Sequence, residues 1–391
     1  MKLDADGTAS GARDGAAPSL RSAAPARIRV LVPDLPDANA LLPWLARIDA
    51  ARWYTNRGPL VEHFESALAR AIAPRGERPF CVTTSSGTTA LELALEALQL
   101  APGSRVLVPA YTFPATANAI VRIGHVPVLA DVCRQRFTLT PAMATGIVRR
   151  HRVDAVMPVA ALGAPLPVDD WDTFAREQRM PVLVDAAAAL PLVAPTAHVH
   201  VACSLHATKP LGIGEGGLVV THDGTLADRV RCATNHGFSA GLVNAAGTNG
   251  RMSEYAAAVG LAQLERFAEV RERRRRLWRM YAEALAGLDG VHLQSGLGDE
   301  APAVLVVTSP APASSAARAL DERSIETRRW YCPPLHGHPA YASAVRAGND
   351  ASGALPNADF LAHHAIGLPF HTRLTDDDVA RVVEALRSAL E

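Results

Sequence analysis

The sequence is poor in aromatic side chains, which make up only 5% of its 391 residues, although apolar residues together reach 49%. A core of that composition is filled by Ala, Val and Leu, which suits a layered α/β architecture better than an aromatic-rich sandwich. Cysteine is also sparse. Cys81, Cys133, Cys203, Cys232 and Cys332 are scattered, odd in number and form no CxxC pair. That spacing speaks against a zinc or disulfide framework and fits reduced structural thiols, so no metal site is expected. Neither sign of charge dominates: 39 basic residues face 39 acidic ones, and no overall field draws the chain to nucleic acid or to an acidic membrane. No apolar run approaches the roughly 20 residues that cross a bilayer. Residues 1–26 lack the apolar centre of a secretion signal, so a cytoplasmic protein is the expectation.

What is present divides into three regions. Residues 1–26 are rich in Ala, Gly, Ser, Asp and Arg, bury too little to offset ordering entropy, and read as a disordered tail. Residues 27–265 read as a large α/β domain. Its first clear helix lies over 60–72, where Leu60, Val61, Phe64, Leu68 and Ile72 follow a helical repeat. Short apolar runs at 80–83, 106–108, 126–129, 155–159 and 182–184 then alternate with helical stretches at 90–100 and 115–123, with a further strand at 216–221. Such alternation predicts a mostly parallel sheet with helices on both faces. A long helix over 253–285 leads into residues 266–391, a smaller α+β domain, and its run of arginines at 271–276 reads as a solvated face.

Three segments carry chemistry. In Ser204-Leu-His-Ala-Thr-Lys209-Pro-Leu-Gly-Ile-Gly-Glu-Gly-Gly217 a lysine sits among small residues just before a strand. A lysine used covalently must lose its proton near neutral pH, and glycines let backbone approach a bulky cofactor; a tight turn would also carry this composition. Asp185 ends an apolar run and precedes four alanines, at the carboxyl end of a strand, where open α/β sheets bind ligands. There it either caps a helix or faces a charged or heterocyclic group. Finally, Thr84-Ser85-Ser86-Gly87-Thr88-Thr89-Ala90 closes a strand and opens a helix with small, hydroxylated residues. That makes either an anion cradle or an ordinary Ser/Thr cap.

Together with Pro109-Ala-Tyr-Thr-Phe-Pro-Ala-Thr-Ala-Asn118, these segments resemble the StrS-type (DegT-like) sugar aminotransferases, a fold-type I family dependent on pyridoxal 5′-phosphate. The resemblance covers nearly all of residues 50–388. It is carried further by Asn235-His-Gly237, Gly247-Thr-Asn-Gly-Arg-Met-Ser253, Gln263-Leu264, Arg328-Arg-Trp-Tyr-Cys-Pro-Pro-Leu-His336 and Leu368-Pro369. It implies a large domain with a mostly parallel seven-stranded sheet between helices, and a smaller C-terminal α+β domain. It further implies that Lys209 forms the Schiff base and moves the proton, and that Asp185 pairs with the pyridine nitrogen. Gly87, Thr88 and Ser204 would hold the phosphate, Thr89 would support that loop, and Phe113 would stack on the ring. Asn249 would reach the cofactor phosphate of a neighbouring subunit in a homodimer, while Tyr331, His336 and Arg251 would approach substrate. L-glutamate is the implied amino donor and a nucleotide-linked keto-sugar the implied acceptor. His206 reads as structural.

The sequence departs from this pattern at Ala188, a cofactor-contacting position where the family usually carries Gln or His near the phenolic oxygen. A methyl group cannot donate that hydrogen bond. A family member acting on a cyclitol or other non-sugar ring is therefore kept as an alternative, as is a non-catalytic regulatory relative. A lyase of this fold would carry histidine in place of the lysine.

Overall fold

The molecule was analysed as a computed structural model that describes residues 27–73, 76–348 and 352–390; the expected tail lies outside these. Helix α1 (Ala38–Ala51) opens on Asp37, whose carboxylate accepts from the Ala40 amide at 3.0 Å. Helix α2 (Pro59–Ile72) starts after Gly58, which has no side chain to cap it. Its free amides are instead taken by Glu254, whose buried carboxylate accepts from Leu60 N at 2.8 Å and Val61 N at 3.1 Å. A cap borrowed from almost 200 residues away fixes α2 against a distant part of the chain.

The βα alternation follows: β1 (Phe80–Thr84), α3 (Gly87–Ala97), β2 (Arg105–Pro109), α4 (Pro114–Arg122), β3 (Val126–Ala130), α5 (Pro141–Val148), β4 (Ala155–Val156), α6 (Val168–Gln178), β5 (Val182–Asp185), β6 (Val199–Ser204), β7 (Gly217–Thr221) and α7 (Gly224–Thr234). After an exposed hairpin of β8 (Phe238–Ser239) and β9 (Leu242–Val243) comes the 32-residue helix α8 (Glu254–Leu285). The remainder comprises β10 (His292–Leu293), β11 (Leu305–Thr308), α9 (Ala313–Glu322), β12 (Val345–Ala347), α10 (Pro356–His364), β13 (Ala365–Leu368) and α11 (Asp376–Leu390).

The large sheet has the order β1-β7-β6-β5-β4-β2-β3-β12, parallel throughout except for β7, which runs against both neighbours. It holds eight strands rather than the expected seven. The eighth, β12, comes from the C-terminal region and pairs with β3; three residues with an exposed arginine between Val345 and Ala347 leave no apolar run to read. Strand β6 also lies outside the expected strands, because His200 interrupts its apolar run; the histidine ring is accommodated by a 2.8 Å hydrogen bond with the Thr221 hydroxyl. A smaller antiparallel sheet, β10-β11-β13, backs onto α8, α9 and α11 around Tyr281, Leu305, Val307 and Phe370. Ile28, near the start of the described chain, packs in this same cluster, with Ile28 N donating to Ser324 O.

The arginine run is not a solvated face. Arg271 and Arg275 both bind Glu300, Arg274 donates to the carbonyls of Pro302 and Ala303 at 2.7 Å each, Arg273 reaches Leu374 O, and Arg276 pairs with Asp376. Five arginines within six residues are tolerated because each is given a carbonyl or carboxylate from the C-terminal region. The cysteines are free, and burial pushes the thiols of Cys81 and Cys203 up so that they stay protonated.

Helices α2 and α8 meet where Gly260 faces the ring of fully buried Phe64, and any Cβ at 260 would lie inside that ring's van der Waals shell. Gly260→Ala is therefore expected to destabilise the protein by about 1–3 kcal/mol through overpacking. Urea unfolding measures this, and an unchanged midpoint would show that the α2–α8 contact relaxes.

Candidate active site

The carboxyl ends of β1, β5 and β6 converge on one cavity of about 440 Å³. Asp185, the last residue of β5, is only 4% exposed. Its Oδ2 accepts from the Thr116 hydroxyl at 2.7 Å and its Oδ1 from the Ala187 amide at 3.0 Å. Burial pushes this carboxyl above its ordinary range, and Thr116, the Ala187 amide and the charge of Lys209 all work against that rise. Burial conversely pushes the Lys209 amine down, opposed by Asp185. The lysine is thus easier to deprotonate than a surface lysine, while two hydrogen bonds favour the ionised aspartate.

The N-terminus of α3 forms another wall. Ser86 caps the helix by accepting from Thr89 N at 3.1 Å, and the Thr89 hydroxyl lies 2.9 Å from Ser86 Oγ. Gly87 is required by close approach: a Cβ there would stand 2.6 Å from Ser204 Cβ. Its absence brings the Ser204 hydroxyl, the Thr88 side chain and the free amides of α3 to the same end of the cavity.

Of the residues singled out from sequence, Gly87, Thr88, Phe113, Asp185, Ala188, Ser204, Lys209 and Tyr331 line this cavity. Thr89 stands behind the cradle and serves the cap. Phe113 is 61% exposed at the cavity wall. Burial, with Asp185 close by, raises the Tyr331 hydroxyl well above its ordinary value, and a hydrogen bond with the Leu162 backbone opposes the rise. Asn249, Arg251 and His336 do not line it. Asn249 is exposed and accepts from Arg251 Nη2 at 2.8 Å, while Arg251 Nη1 binds the Asn235 side chain. His336 pairs instead with Asp359 at 2.8 Å.

Thr116 was not foreseen as a site residue. It lies in the quoted 109–118 segment, but its tie to Asp185 spans 69 residues and no local spacing announces it. Arg328, Trp330 and Glu215 also line the cavity, as does His206, whose Nδ1 accepts from Thr208 N at 3.3 Å. Among the described residues no cluster of His, Cys, Asp and Glu is suited to hold a metal, and no helix is long and apolar enough to cross a membrane.

The family model described as the DegT/DnrJ/EryC1/StrS aminotransferase family matches residues 38–387. The chain belongs to this family. It is 32% identical over 356 residues to a dTDP-3-amino-3,4,6-trideoxy-α-D-glucose transaminase of Streptomyces venezuelae, covering 89% of this chain and 91% of the relative. It is 30% identical to a GDP-perosamine synthase of Caulobacter vibrioides, covering 86% and 92%. The crystal structure of DesI in the presence of its TDP-sugar product superposes with a TM-score of 0.83 at 32% identity, covering 93% of both chains. The aminotransferase is a pyridoxal-phosphate enzyme of fold-type I. Its cavity fits that cofactor on its own evidence: a helix N-terminus with hydroxyls for a phosphate, a buried ionisable aspartate for a ring nitrogen, and a lysine depressed by burial for the aldehyde.

The electrostatic coupling is testable without cofactor. Asp185 favours the charged amine, so Asp185→Asn removes that support and lowers the Lys209 pKa further. Acetic-anhydride labelling of cofactor-free protein, followed by mass spectrometry, should then show Lys209 becoming reactive about one pH unit lower. An unmoved or upward midpoint would dissociate the two groups.

Proposed function

We propose that this aminotransferase moves an amino group from L-glutamate to the keto carbon of a nucleotide-linked sugar. The observation that carries the reading is the meeting of Lys209, Asp185 and the α3 cradle in one cavity. When bound, pyridoxal phosphate supplies an electron-withdrawing ring and carries the amino group between the two half-reactions. Lys209 Nζ would hold the cofactor's aldehyde carbon and would serve as the base that moves a proton from the substrate's α-carbon. Asp185 would keep a proton on the ring nitrogen. Gly87, Thr88 and Ser204 would hold the phosphate, and Phe113 would cover a ring face. The sugar assignment is supported by the named activities of the Streptomyces and Caulobacter relatives. The test is the visible spectrum of the purified protein: L-glutamate alone should bleach the cofactor band, and a nucleotide-linked keto-sugar should restore it.

The reading includes a homodimer with shared sites. Its support is the exposed apolar hairpin with Phe238, Leu242 and Val243, which is tied to Asn249 through the Asn235–Asn249 backbone bridge. Gly250 O accepts from Ser85 N at 2.7 Å, so this outward loop is braced against the cradle of its own chain. If Asn249 grips the partner's cofactor, Lys209→Ala and Asn249→Ala are each inactive or nearly so. A hybrid of the two contains one intact site, and random mixing after refolding should restore about a quarter of the parental activity. No recovery in a mixture shown to hold hybrid dimers would make each site self-contained.

A further inference from the structure

Beside the His206 ring, the cationic side chains of the cavity wall are Lys209 and Arg328. Lys209 is committed to the cofactor, which leaves Arg328 as the fixed cation that this chain's own cavity wall offers a substrate. Its backbone is held firmly: Arg328 N donates to Gly367 O at 3.1 Å and Gly367 N returns a bond to Arg328 O at 2.7 Å. Trp330 packs flat on Gly367, where a Cβ would collide with the indole. The guanidinium lies 5.8 Å from the centre of that indole and, among the described residues, makes no ion pair. The adjacent Arg329 differs, being tied to Ala362 O at 2.7 Å. Nor do the cavity's carboxylates occupy Arg328: Asp185 is bound by Thr116 and Ala187, and Glu215 stands 3.7 Å from His206. An exposed arginine with an anchored backbone, an aromatic ring beside it and an open guanidinium is suited to bidentate recognition of an oxyanion.

The position favours a carboxylate over a nucleotide's diphosphate. Arg328 lines the same cavity as Tyr331, Asp185 and Lys209, so this segment borders the reacting end. An amino donor must bring its α-carbon to Lys209 with a carboxylate one bond away. We propose that Arg328 is the receptor for the carboxylate of the amino donor. This rests on the transamination reading for the donor's identity, but not for the anion site itself.

The test uses holoenzyme, with Arg328→Gln and Arg328→Lys checked for unchanged cofactor spectrum and melting. Half-saturation by L-glutamate in the first half-reaction should rise roughly 10- to 100-fold in Arg328→Gln while the rate at saturation changes little; Lys should recover part of the loss. Glutarate, which cannot react, should bind the parent and bind Arg328→Gln at least about tenfold more weakly by calorimetry. Equal glutarate binding by parent and variant, or none by the parent, overturns the proposal, as does a variant that keeps glutarate and loses thymidine diphosphate. If glutarate binding depends on Arg328 while L-glutamate leaves the parental spectrum unmoved, the anion site stands and the donor assignment falls.

Discussion

A buried carboxylate at the end of a central strand, hydrogen-bonded on both oxygens, is the constraint around which the rest of the molecule is arranged. Asp185 sits where parallel strands end, and burial alone would neutralise it. It is given two hydrogen-bond donors, one from a helix on β2's far side of the sequence and one from the backbone just beyond its own strand. Lys209 receives no comparable side-chain support, so burial acts on it with only the charge of Asp185 in opposition. The pair is therefore asymmetric by construction: burial eases the loss of the amine's proton, while on the carboxylate two hydrogen bonds oppose the rise that burial causes. That is the division a ring nitrogen and a Schiff-base-forming lysine require of their surroundings.

The second half of the chain holds the cavity's other wall in place. Helix α8 begins by capping α2 through Glu254 and ends in the smaller sheet, so one rigid rod spans both layers. Its arginines grip the segment from Glu300 to Ala303, and Ala303 and Val304 line the cavity. Buried cations are costly unless satisfied, and the Ala303 carbonyl that satisfies buried Arg274 belongs to a residue of the site wall.

The βα alternation, the long helix and the three chemical segments were legible because each is local: an apolar run, a cap or a glycine-lined lysine loop announces itself within a dozen residues. What escaped was set by distance. Thr116 matters only through Asp185, the arginine run only through residues 300–376, and β12 only because it finds an open sheet edge beside β3. His206 and Arg328 were within quoted motifs, yet nothing in their spacing says which way the side chains face.

That same division explains why the reaction type reads from the sequence more clearly than the substrate. The groups that would hold the cofactor lie on β1, α3, β5, β6 and the loop before β7, in segments whose composition is constrained by close approach, as at Gly87 against Ser204. The groups facing outward from it, among them Leu162, Ala303, Val304, Arg328 and Trp330, come from loops and a segment that meet only in the folded chain. Ala188 lies on the boundary between the two sets, on the Asp185 side of the cavity. Asp185 draws its hydrogen bonds from Thr116 and Ala187, so the methyl at Ala188 alters only the space and polarity of the cavity wall. Under the proposed reaction, chemistry and selectivity would be carried by different parts of the fold, and the second could vary without disturbing the buried carboxylate on which the first would depend.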